Sequence, residues 1–145
     1  MTPRFGEPPQ PGRRYRRRPG VYAVLPLRGA LLLTRQSEPE PEIQLPGGGI
    51  DPGESPLTAL HREVHEETGW RIAAPVLLGR FRRFTFMPEY DLWAEKVCYV
   101  YRARPVRRLG PPEEAGHTAL WLPPQVAVLS LGNPGDRAFV ARLMR

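Results

Sequence analysis

Glu54, Glu63, Glu66 and Glu67 stand close together in a stretch that reads GGIDPGESPLTALHREVHEETGW over residues 48–70. Carboxylates are natural donors for hard divalent cations, and Mg²⁺ typically takes one or two of them together with the phosphate oxygens of a substrate. On a helix, Glu63, Glu66 and Glu67 are related by three- and four-residue steps, so their side chains rise from one neighbouring face. Arg62 can supply a permanent counter-charge, reaching Glu66 one turn on or Glu54 across the preceding loop. The chemistry this arrangement points to is the handling of phosphate through a bound metal ion.

An acidic cluster is more often just a solvated helix face. Here three like charges within about one turn repel by a few tenths of a kcal/mol per pair. A divalent cation removes that cost, which favours the metal reading. The local sequence supports the helix itself. Ser55 is a good N-cap and Pro56 suits the first helical position, where a missing N–H costs nothing. Gly69 stands where a left-handed terminator belongs, so the spacing predicts a helix over about 56–68. Leu57, Leu60, Val64 and Thr68 would form its buried stripe. Ahead of it, Pro46-Gly47-Gly48-Gly49 offers backbone that can approach a ligand closely.

Gly48, then Glu54 after five residues, then Arg62-Glu63-Val64-His65-Glu66-Glu67-Thr68-Gly69-Trp70 after seven more, resembles the signature box of the Nudix hydrolases at every fixed position. The resemblance implies metal-dependent hydrolysis of a diphosphate linkage in a nucleoside diphosphate derivative, with Mg²⁺ or Mn²⁺ as cofactor. It implies that the Gly47 carbonyl, Glu63 and Glu67 bind the principal ion, that Glu66 serves a second one, and that Glu54 and Arg62 are structural, Arg62 orienting the carboxylates. The catalytic set is thus expected to comprise Arg62, Glu63, Glu66 and Glu67. The family often uses a further glutamate outside the box; Glu113 and Glu114 are the candidates by position, Glu114 preferred, with Glu95 poorer at a strand start. His61 and His65 are also on the helix, but neither has a partner that would make it catalytic.

The elements around the box read as scaffold. Val21–Leu25 and Ala30–Arg35 are strand-length apolar runs joined by a turn through Arg28-Gly29, and Ile43–Leu45 leads into the glycine loop. Irregular alternation from Val76 to Phe86 suggests a strand or two, Lys96–Ala103 another, with residues 87–93 as the hairpin loop between them. Thr118–Leu122 makes a last strand and 134–144 a final amphipathic helix. The sum is an α+β domain, a mixed α/β/α sandwich, which the resemblance sharpens to a mixed sheet between helices over residues 18–145.

At 145 residues the chain suits one such domain. Its net charge of +6 is uneven, because Arg13, Arg14, Arg16, Arg17 and Arg18 crowd the start. Residues 1–17, rich in Arg, Pro and Gly, read as a flexible arm. Its arginines could contact nucleic acid through phosphates. Arg, however, is the default base of the whole chain, with Lys96 the one exception, so a solvated arm is the favoured reading. A single cysteine, Cys98, excludes an intramolecular disulfide and reads as a buried small side chain. No stretch of 18 apolar residues would span a membrane, and a cytoplasmic location is the expectation. A homodimer stays open.

Substrate choice is less legible. Phe84, Phe86, Tyr90 and Trp93 could line a slot for a base around the hairpin loop. No proline stands 15 or 16 residues past Gly69, as ADP-ribose hydrolases tend to have, and Phe86 and Met87 occupy the places where many dinucleoside polyphosphate hydrolases carry tyrosine. The triple glycine resembles the diphosphoinositol polyphosphate hydrolases. By elimination a (d)NTP pyrophosphatase acting also on oxidised nucleotides is the first choice. A nucleotide-binding sensor without catalysis is the alternative of a different class.

Overall fold

Two strands set the layers of the domain, and their alternation shows how. In β1 (Arg16–Val24) and just after it, Val21, Ala23 and Leu25 belong to one buried cluster and Val24 to another. In β3 (Ala30–Gln36), Leu32 joins the first cluster while Leu31 and Leu33 join the second. Side chains of a strand alternate between faces, so both strands are apolar on both sides and need cover on both. The first cluster is closed by Ala59, Leu60 and Val64 of α1 (Pro56–Thr68), the second by Ala127, Phe139 and Val140 of two C-terminal helices. The result is the expected α/β/α sandwich. The computed structural model describes residues 2–145.

The remaining elements are β2 (Pro26–Leu27), β4 (Glu42–Gln44), β5 (Gly47–Gly49), β6 (Trp70–Met87), β7 (Leu92–Arg108), β8 (His117–Leu122), α2 (Pro124–Ser130) and α3 (Pro134–Leu143). One sheet runs β5-β1-β7-β6, with β1 parallel to β7; the other runs β2-β3-β4, with β8 paired to β3. The β6–β7 hairpin is longer than its alternation suggests. Register shifts at Arg71/Ile72, Ala73/Val76 and Leu77/Gly79 break the period, and Ala74 takes a positive φ of 54°. These bulges are why the sequence of β6 reads as irregular. Cys98 is buried, and burial pushes its thiol up to about 12, as befits an inert core residue.

One expectation needs correction. Leu57 is 45% exposed and does not belong to the buried stripe, which is Ala59, Leu60, Val64, Glu67 and Thr68. The first turn is held by its cap instead, with Ser55 Oγ accepting from the Thr58 amide at 3.2 Å. Residues 2–17 of the segment read as an arm make contacts of their own, Met1 lying outside the described residues. The boundary drawn at 17/18 falls inside β1, and the segment before it lies along the edge strand β6. The Phe5 amide donates to the Arg82 carbonyl (3.1 Å) and the Arg82 amide to the Pro3 carbonyl (2.9 Å). Phe5 meets Phe81 edge-on and Tyr15 meets Phe84. Those two aromatic anchors supply the burial that the Arg, Pro and Gly composition conceals.

Candidate active site

The glycine run is a strand, and pairing against β1 fixes it beside α1. Gly20, Val21 and Tyr22 pair with Gly49, Gly48 and Gly47. Two of these positions admit no side chain. A Cβ on Gly47 (φ 154°) would lie 2.0 Å from the Val21 carbonyl oxygen, and one on Gly48 would lie 2.5 Å from the Glu63 carboxylate. The missing side chains let the strand backbone and the helix carboxylates share one space. The Gly47 amide donates to Oε1 of Glu67 at 3.1 Å, closing strand to helix.

Arg62 organises the outer end of the cluster. Its Nε and Nη2 donate to the two oxygens of Glu54 at 2.7 and 2.8 Å, a bidentate pair. Nη1 donates to Glu63 at 3.0 Å and to Glu66 at 3.3 Å, and Nη2 also reaches the Gly49 carbonyl at 3.2 Å. The hydrogen bonds from Arg62 hold the Glu54 carboxyl down at about 2, and the same contacts raise the guanidinium further above its ordinary range. A planar fork suits this multiple recognition better than an ammonium would.

The inner end is different. Burial pushes Glu63 up to about 7 against the opposing pull of Arg62, and pushes Glu67 up to about 9 against a single opposing N–H from Gly47. Glu67 is only 6% exposed. The fold has thus buried Glu67 without supplying the positive charge that its ionised form requires. Glu114 arrives opposite them on the loop between β7 and β8. That loop is pinned to the end of α1, since the Glu113 and Glu114 amides both donate to the Glu66 carbonyl at 2.9 Å. Ligand oxygens of Glu63, Glu66 and Glu114 lie within 4.8 Å of one another; so do those of Glu67 and Glu114 with a ring nitrogen of His117. A divalent cation fits this donor set: Oε2 of Glu67, among the described residues, receives no hydrogen bond and faces the cluster.

These groups open on a cavity of about 640 Å³. Glu63, Glu67, Gly47 and Gly48 form one side and Glu114 and His117 another, while Arg18, Arg83 and Lys96 bring positive charge. Tyr90 lines it too, with the Arg18 guanidinium 4.6 Å from its ring centroid. Phe86 and Trp93 do not. They pack against each other at 5.2 Å on the other face of the hairpin, where Arg13 lies 3.7 Å over Trp93; Phe84 is on that face as well, against Tyr15. Of the proposed base-slot aromatics only Tyr90 reaches the cavity, because Arg83 and Met87, alternating with Phe84 and Phe86, take the inward places. Glu95 faces Arg82 at 3.7 Å and Glu113 faces His65 at 3.8 Å, so neither joins the cluster. His61 is exposed.

Sequence reasoning did not find Thr34, His117, Arg83, Lys96 or Asp136. His117, Arg83, Lys96 and Asp136 line the cavity and Thr34 stands behind His117, each brought there by strand pairing or helix packing, and none carries a local signal.

Fold, box and site together define a NUDIX domain. Residues 14–143 match the family described as the NUDIX domain, and the chain belongs to that family. Among solved structures, a NUDIX hydrolase from Nitrosomonas europaea superposes with a TM-score of 0.72 at 20% identity, covering 89% of each chain. A Mutator MutT protein from Bacillus halodurans gives 0.72 at 19%, covering 88% of this chain and 82% of its own; at such identities the likeness concerns the fold. The chain is 31% identical to an 8-oxo-(d)GTP phosphatase of Mycolicibacterium smegmatis over 102 residues, 70% of this chain and 30% of that one. It is 41% identical to an RNA pyrophosphohydrolase of Rhodospirillum rubrum over 81 residues, 54% of this chain and 46% of that one. The chain spans no more than half the length of these curated relatives. No helix among the described residues is long and apolar enough to cross a membrane.

Proposed function

We propose that this domain hydrolyses a diphosphate linkage in a nucleoside triphosphate, oxidised nucleotides included, with Mg²⁺ or Mn²⁺ as cofactor. The observation that carries the reading is the clustering of the Glu63, Glu66, Glu67 and Glu114 carboxylates, with Glu67 buried and its Oε2 unpaired among the described residues, beside a cavity that holds arginine and lysine. The name of the Mycolicibacterium relative supports the choice of nucleotide.

In this reading Glu63, Glu66, Glu67 and the Gly47 carbonyl hold the metal, and Arg62 fixes the glutamates in place. A divalent ion there supplies neutralisation of phosphate charge and a bound water of lowered pKa. Arg18, Arg83 and Lys96 receive the polyphosphate, and Tyr90 under Arg18 offers a wall for the nucleoside. Water oxygen bonds to phosphorus, the bridging P–O bond breaks, and phosphate or pyrophosphate leaves. Glu114, brought opposite the helix by its loop, takes the proton the water loses. No covalent intermediate is needed, and catalysis rests on position and charge.

The test is a substrate panel with products identified by mass: canonical and oxidised nucleoside triphosphates, 5′-triphosphorylated RNA, ADP-ribose, dinucleoside polyphosphates and diphosphoinositols. Divalent-dependent release of pyrophosphate from a nucleoside triphosphate supports the reading. Folded protein inactive on the whole panel would move the assignment to a nucleotide-binding sensor.

A further inference from the structure

Behind Glu67 lies a hydrogen-bonded chain that the Nudix box does not contain. Thr34, fully buried on β3, has its Oγ1 2.9 Å from Nδ1 of His117, the first residue of β8. The same hydroxyl is 3.5 Å from the Glu67 backbone carbonyl. The 2.9 Å contact engages Nδ1 in either tautomer; when Nδ1–H donates to Oγ1, the hydroxyl turns its own proton toward the carbonyl. In that tautomer Nε2 is left with a bare lone pair.

Nε2 faces Oε2 of Glu67 at 3.7 Å, on side chains only 10% and 8% exposed. Oε1 of Glu67 already accepts from the Gly47 amide, and Oε2, like Nε2, has no hydrogen-bond partner among the described residues. In that tautomer, once the Glu67 carboxyl gives up its proton as metal binding requires, two acceptors confront each other. A separation of 3.7 Å is too long for a hydrogen bond. It is within reach of one shared ion, whose ligands at about 2.1 Å each lie at most about 4.2 Å apart. The Glu114 carboxylate completes the group within 4.8 Å.

We propose that His117 Nε2 is a nitrogen ligand to an ion shared with Glu67, that Thr34 sets the ring for this task, and that the site therefore favours Mn²⁺ over Mg²⁺. Imidazole suits transition metals, whereas Mg²⁺ prefers an all-oxygen shell. A ligating histidine usually has its other ring nitrogen fixed by a hydrogen bond, which is the part Thr34 plays. The inference rests on the metal-dependent reading above, and its test separates the two.

Full-length protein is titrated with Mn²⁺ while the free-ion signal is followed by electron paramagnetic resonance, and the bound ion is then examined by pulsed methods for ¹⁴N coupling. The expected result is bound Mn²⁺ with coupling from a coordinated imidazole, lost in His117→Gln. Thr34→Val, which exchanges only the hydroxyl for a methyl, should weaken Mn²⁺ binding about tenfold or more while moving the Mg²⁺ constant less. Bound Mn²⁺ without nitrogen coupling in the wild-type protein would overturn the role of His117 and leave the metal-dependent reading standing. Failure of the protein to bind Mn²⁺ at all would overturn both.

Discussion

The two ends of the acidic cluster treat the same residue type in opposite ways. At the outer end Glu54 is exposed to Arg62 through two short hydrogen bonds and is held down at about 2. At the inner end Glu67 is buried against one backbone amide and is pushed up to about 9. The protein neutralises the first with its own cation and leaves the second to be neutralised by something it binds. The outer pair is architecture that orients the helix face. The inner one is where a cation is recruited.

The comparison breaks most readily at Glu67. Glu67→Gln keeps the acceptor for the Gly47 amide but removes the charge, so turnover should fall by at least about 10²–10³-fold. Its metal-free melting temperature at neutral pH should equal or exceed that of the parent, because the native state no longer has to hold a proton on a buried carboxyl that the unfolded chain releases. Steady-state kinetics and a thermal melt check both halves; a parent-like rate would sink the distinction between the two ends.

Arg62→Met attacks the outer end. Glu54, Glu63 and Glu66 lose their common partner, and activity should drop about 10–100-fold through misplaced carboxylates. Here, unlike at Glu67, the melting temperature should fall. Kinetics at saturating and limiting metal would show whether added ion partly restores the rate, as expected for a positioning residue.

Asp136 sharpens the comparison, since it is another buried carboxyl with one backbone donor. It lies on α3, 3% exposed, and Oδ2 accepts from the Leu45 amide at 3.2 Å. Burial raises it from 3.8 to about 7, with Leu45, Arg83 and Lys96 opposing and Glu42 adding to the rise. The native state then keeps a proton that the unfolded chain releases, so the stability contributed by Asp136 is full below about pH 4 and is lost as pH climbs to about 7. The loss is roughly 2–4 kcal/mol. Asp136→Asn should flatten that slope, read as urea-denaturation midpoints at pH 4.5 and 7.5; an unchanged slope would show that Asp136 titrates normally.

The smallest effect is expected at Leu57. Half-exposed beyond the buried stripe, it should tolerate Leu57→Ser within about 0.5 kcal/mol, whereas Leu60→Ala, at a fully buried place on the same helix, should cost about 2–5 kcal/mol.

Why the sequence was legible at one end of this contrast and not the other follows from range. The caps of α1, the Arg62 contacts and the carboxylate face are set by residues within one helix and its entry loop, and spacing alone exposes them. Glu114 was placed by its position on a loop, though the two amides that pin that loop to Glu66 have no sequence mark. Thr34 and His117 are 83 residues apart and meet only because β3 pairs with β8. Gly47–Gly49 looked like a loop because glycine hides a strand that long-range pairing with β1 creates. α2, seven residues starting at Pro124 with Pro123 before it and no side-chain cap, gave no signal strong enough to separate it from loop. Phe86 and Trp93 flank the hairpin loop, the place for a base slot, yet strand parity puts them on the face opposite the cavity.

The central claim is that the Glu67 end is completed by a divalent ion. The most direct measurement is the change in melting temperature when Mg²⁺ or Mn²⁺ is added to metal-free protein, compared between the parent and Glu67→Gln. The account predicts a clear rise for the parent, growing with ion concentration, and little or none for the variant. An equal rise in both proteins, or no rise in the parent, would contradict it.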